Sequence, residues 1–115
     1  MSTHSGDPYA LHRFVDAQGQ VYDQVCLELQ QGRKLTHWMW FIFPQIKGLG
    51  SSAMAKRFAI SSREEADAYF NHSVLGPRLI QCTELVTNTS GKTLKQILGP
   101  TDNMKFQSCM TLFAH

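Results

Sequence analysis

Lys105, Ser108 and Thr111 recur at steps of three in the last stretch of the chain, a spacing that on a helix sets one ammonium and two hydroxyls side by side. That combination can hold a phosphate or a carboxylate, because lysine supplies charge and the hydroxyls supply directed donors. An ordinary exposed helix face carries the same pattern, so the trio matters only if something concave lies opposite it. The candidate opposite wall is the stretch from His37 to Leu49, which holds both tryptophans and two of the seven phenylalanines before Pro44 interrupts it. His37 and Gln45 bracket the aromatic run, and the Trp40 ring could stack on a base or sugar, as could Trp38, although both rings also suit a core. A histidine in such a place can move protons near neutral pH or donate to a ligand, and it can equally well satisfy a backbone carbonyl, as His72 can after its own predicted helix. The expected site is therefore His37, Trp40, Gln45, Lys105, Ser108 and Thr111, around a small anionic ligand such as a nucleotide or sugar-phosphate derivative. The Gly48-Leu49-Gly50-Ser51-Ser52 turn could add free amides at a helix start, or simply serve as turn and cap.

Other chemistries lack their residues. Histidines at 4, 12, 37, 72 and 115 form no i, i+4 pair and there is no Cys-x-x-Cys, so no metal site is expected. There is no glycine-flanked serine elbow and no cysteine beside a base, and no cofactor is implied. Cys26, Cys82 and Cys109 are widely spaced on apolar stripes, which reads as buried free thiols in a reducing, cytoplasmic setting. The first residues show no basic segment leading into an apolar run, and the longest apolar run is six residues, so neither a secretory signal nor a membrane anchor is expected.

The elements that would position these groups are helical. Asp7-Pro8 predicts a helix start, with the pattern Leu11, Phe14, Val15 ending at Gly19. A second helix should run from about Gln20 to Gln31, closed by a left-handed Gly32. Ser51 or Ser52 can cap a short helix, and Ser61-x-x-Glu64 or Ser62-x-x-Glu65 reads as a capping box for a helix to about Asn71. Leu75-Gly76-Pro77 opens the next, with Leu75, Leu79, Cys82, Leu85 and Val86 as its buried stripe. Thr93 to Leu98 is short and ends at Gly99-Pro100, after which Phe106, Cys109, Met110 and Phe113 make an amphipathic helix. Period-two alternation is scarce, so the expected fold is all-α: one compact domain of about seven short helices spanning 1–115, with residues 1–6 flexible. A length of 115 residues supports one core and no second domain. Eleven basic residues against nine acidic ones, scattered, give no basic patch for nucleic acid, and pairs such as Arg33-Lys34 read as a solvated helix end.

Three stretches carry a resemblance: Lys34 to Ser52, His72 to Leu79, and Asp102 to Phe113. Together they resemble an uncharacterised family of small bacterial and fungal proteins, some of them mislabelled calpastatin, over nearly the whole chain. The resemblance implies a mainly helical fold of the kind seen in a mycobacterial hypothetical protein, without an established activity. Its pattern falls on His37, Trp40, Phe43, Pro44, Gln45, Gly48, Leu49, Gly76, Arg78, Lys105, Ser108 and Thr111, and departs from it at Ser73 and Cys109. Relatives continue beyond the Met110–Phe113 stretch. In a chain ending at His115, the stripe through Phe106, Met110 and Phe113 is then expected to lack its cover, with homo-oligomer formation through that face or partial disorder near the end as the result. The last helix also resembles that of proteins that process ADP-ribose conjugates, which makes a glycosidase the enzymatic alternative. A structural or protein-interaction module without a pocket is the other.

Overall fold

Glycine, proline and side-chain caps divide the chain into eight helices in the computed structural model, which describes residues 7–114. They are α1 His12–Gly19, α2 Tyr22–Gln30, α3 Met39–Ile42, α4 Ala53–Arg57, α5 Arg63–Phe70, α6 Leu75–Thr87, α7 Leu94–Leu98 and α8 Pro100–Phe113. The fold is all-α, and β-type pairing among the described residues is limited to a parallel bridge between Ile46 and Ile60. His4, His115 and the expected flexibility of residues 1–6 lie outside the described residues. No described helix is long and apolar enough to cross a membrane.

Most of the expected boundaries hold because they are set by local hydrogen bonding. Gly32 takes a φ of 71° after α2. Thr93 and Gln96 form a complete capping box at α7, and Pro100 begins α8 immediately after Gly99. At α5 the Ser62-x-x-Glu65 register is the one used, and Glu65 also reaches back to Ser61. The Ser62 hydroxyl accepts from the Glu65 amide, while the Glu65 carboxylate accepts from the Ser61 amide and hydroxyl. The first helix departs from expectation, starting at His12 rather than at Pro8. Asp7 still closes the helix, since its carboxylate accepts from the amides of Leu11 at 2.7 Å and His12 at 3.0 Å, but it reaches them across a turn in which Ala10 has a φ of 52°.

The aromatic run forms the centre. Trp38, Met39, Phe41, Ile42 and Phe43 are all buried, and α3 within them is only four residues long before Pro44 breaks it. An edge-to-face contact ties this run to α8, with Phe43 meeting Phe106 at 4.9 Å between ring centres, and another joins Phe14 of α1 to Tyr69 of α5 at 5.0 Å. Phe113 packs on Tyr69 at 5.3 Å. The stripe expected to lack its cover is thus packed within the chain: Phe106 and Cys109 are buried, and Met110 and Phe113 lie against the core.

Two buried carboxylates act as internal ties. Glu65 meets Arg13 at 2.9 Å, and the same guanidinium donates to the carbonyls of Tyr9, Ala10, Arg57 and Ala59, joining α1 to the chain around α4 and α5. Glu28 of α2 is wholly buried and holds the 31–38 loop. Its Oε1 accepts from the amides of Leu35 and Thr36 and from the Trp38 indole, and its Oε2 accepts from the Thr36 hydroxyl and the Gln24 amide. Burial alone would raise the pKa of this carboxyl. The donated hydrogen bonds outweigh that and hold it at about 2.

Candidate functional site

Because Glu28 fixes the 31–38 loop, Lys34 is drawn inward rather than left on a solvated helix end. Its amide donates to the Ile97 carbonyl at 2.7 Å and its side chain is only 8% exposed. The ammonium donates to the Thr36 carbonyl at 2.7 Å, sits 5.0 Å from the centre of the Trp38 ring, and meets Asp102 Oδ2 at 2.9 Å. Asp102 lies in the first turn of α8, where a negative side chain is favoured by the helix dipole. Its other oxygen, Oδ1, is 3.7 Å from Lys105 Nζ one turn along, and that ammonium also stands 5.8 Å from the Trp40 ring centre. One carboxylate thus serves two lysines and leaves one positive charge in excess, beside a half-buried indole face.

These groups line a cleft of about 320 Å³ between the 34–40 stretch and the start of α8, with the exposed His37 on its rim. Lys105 also borders two neighbouring concavities. One is an open cleft of about 560 Å³ that includes Gln45, Leu49, Met104 and Ser108. The other is an enclosed recess of about 70 Å³ behind Trp40, floored by Phe43 and Phe58. Five of the six expected residues therefore gather around Lys105: His37 and Trp40 on the first cleft, Gln45 and Ser108 on the second. Gln45 also donates weakly to the Lys105 carbonyl at 3.5 Å, pinning its loop to α8.

Thr111 does not join them. It is exposed, lines none of these concavities, and returns its hydroxyl to the Gln107 carbonyl at 3.1 Å. Steps of three fall short of a full turn by about 60° each, so Thr111 stands about 120° around the helix from Lys105. His72 serves the backbone: its Nδ1 accepts from the amides of Val74 and Leu75 at the start of α6. Ser52 caps α4 by accepting from Ala55, so the turn before it works as a cap. Trp38 belongs to the core. Lys34 and Asp102 lie outside the expected set, and they are the better-anchored half of the site. The available signals were weak: Lys34 lies three residues before His37, and Asp102 follows a Gly-Pro helix start.

Among the described residues, Asp102 is the one carboxylate lining these three concavities, so the paired carboxylates of ordinary glycoside hydrolysis are not assembled here. No cluster of three or more histidine, cysteine or acidic side chains suited to a metal ion occurs among the described residues.

A solved structure, that of the conserved hypothetical protein Rv1873 from Mycobacterium tuberculosis, is similar to this chain at 56% identity with a TM-score of 0.93, covering 94% of this chain and 77% of that one. No curated protein matches the chain. The family model described as protein of unknown function (DUF1810) matches residues 8–115. With that span and that shared fold, the chain belongs to the DUF1810 family of proteins of unknown function.

Proposed function

We propose that this protein binds a small anionic ligand, a nucleotide or sugar-phosphate derivative, in the cleft between the aromatic segment and α8. The observation that carries the reading is the sharing of Asp102 by Lys34 and Lys105 at 2.9 and 3.7 Å. An arriving anion can take up the ammonium that Asp102 holds loosely, that of Lys105, while Lys34 stays anchored. Trp40 offers a flat wall next to that charge, His37 a rim donor, and Ser108 and Gln45 further polar groups around Lys105. In a purely structural module the same groups would pair within a filled core. Here Lys105 keeps about a third of its side chain exposed on an open cleft.

Thermal unfolding across nucleotides and sugar phosphates tests the reading. A ligand at about 100 times its Kd adds roughly 2.7 kcal/mol of stability, a readily measured rise in Tm. The rise is expected to vanish in Lys105→Ala and Lys34→Ala and to persist in Thr111→Ala. No rise with any member of the set, or an undiminished one in Lys105→Ala, removes the proposal.

A further inference from the structure

We infer that the ligand is amphiphilic, an anion joined to a planar or branched apolar body, and that Leu49 and Met104 grip that body; the inference rests on the anion reading above. The two larger clefts share Pro100, Thr101 and Lys105, so they adjoin at the first turn of α8. Leu49 and Met104 line the second cleft from different elements, the 45–50 loop and α8, and are 58% and 67% exposed. A single exposed leucine or methionine is ordinary on a protein surface. Here two of the six large apolar side chains left exposed among the described residues fall on one concavity, next to the cation that the first cleft also uses.

The loop that carries Leu49 is held in place. Lys47 donates to the Ile60 carbonyl and Ile60 donates to that of Gln45, forming the bridge between Ile46 and Ile60. On its other side, Gly50 approaches Ala55 so closely that an added Cβ would lie 2.6 Å from the alanine methyl. Size keeps a ring out of the smallest concavity. The recess behind Trp40, at about 70 Å³, has room for no more than a few water molecules. The clefts of about 320 and 560 Å³ both have room for a ring, and the second is the one that sets the exposed Leu49 and Met104 around it. Ser51, Ser108 and Gln45 on that second cleft supply donors and acceptors for the ring's edge.

Titration calorimetry with two matched pairs separates the parts: adenosine 5′-monophosphate against ribose 5-phosphate, and phenyl phosphate against inorganic phosphate. The member bearing the ring is expected to bind about tenfold more tightly, the effect of removing roughly 50 Å² of apolar surface from water. Leu49→Ser and Met104→Ser should each erase several-fold of that advantage while leaving the ring-free anion within twofold. Lys105→Ala should weaken both members. Both apolar positions are exposed, so the variants should keep the parent Tm. Equal affinities within both pairs, or serine variants that keep the full advantage, overturn the apolar grip and leave the anion reading standing. Failure of all four compounds to bind overturns both.

Discussion

Replacing Glu28 by glutamine should destabilise the protein by about 2–3 kcal/mol at neutral pH, through the loss of a charge rather than of volume. The carboxylate is fully buried and receives five donated hydrogen bonds, two of them from the backbone of the loop that carries Lys34. In Glu28→Gln an amide NH₂ must face either the Leu35, Thr36 and Trp38 donors on one side or the Thr36 hydroxyl and Gln24 on the other. The second arrangement costs less, because the hydroxyl can turn to accept and the Gln24 amide can flip. What remains lost is charge assistance. A fall in carboxyl pKa from 4.5 to about 2 corresponds to about 3 kcal/mol of stability that the protonated group lacks. For a chain of this size that is a Tm lower by roughly 10 °C. The sign follows from the depressed pKa: the contribution is complete above the unfolded value of 4.5 and is lost as pH falls toward the folded value of about 2. Thermal melts followed by circular dichroism from pH 7 to pH 2.5 should therefore show a gap between wild type and variant that is constant near neutrality and closes in acid. A variant melting within about 2 °C of wild type at pH 7, or a gap that does not change with pH, refutes the role given to this carboxylate.

The remaining predictions concern packing and thiols. Gly76→Ala should cost more than about 2 kcal/mol in urea unfolding, because a Cβ there would lie 2.1 Å from the Phe70 carbonyl oxygen and backbone has to move. In the native protein a thiol reagent should modify only Cys26 quickly at pH 8, with Cys82 and Cys109 reacting at the rate of unfolding. Both are buried, and burial pushes the Cys82 thiol up to about 12 and that of Cys109 higher still. Rapid reaction of more than one thiol equivalent would contradict that packing.

How much could be read from the residues alone follows from the range of the interactions involved. Gly32, Ser62, Thr93 and Pro100 mark helix ends through hydrogen bonds and backbone preferences that act over three or four residues, so their effects are written locally. The apolar run from Trp38 to Phe43 had to be buried, and the stripe containing Phe106 had to meet an apolar partner. The contact between Phe43 and Phe106 is consistent with both demands. The first helix escaped because Asp7 caps it from beyond the usual distance, across a left-handed Ala10 that no residue preference announces.

The site divides in the same way. Residue type and spacing by themselves determined that Lys105 and Ser108 share one side of a helix and that an aromatic segment needed a partner, since helical geometry and apolar burial leave little choice. Only the tertiary structure decided that Lys34 turns inward to meet Asp102, 68 positions later in the chain, and that Glu28 orders the loop that carries Lys34. It also decided that Thr111 faces away from the cleft. Ion pairs and buried carboxylates depend on where distant segments meet and on how water is excluded there, and neither quantity has a period or a spacing along the chain.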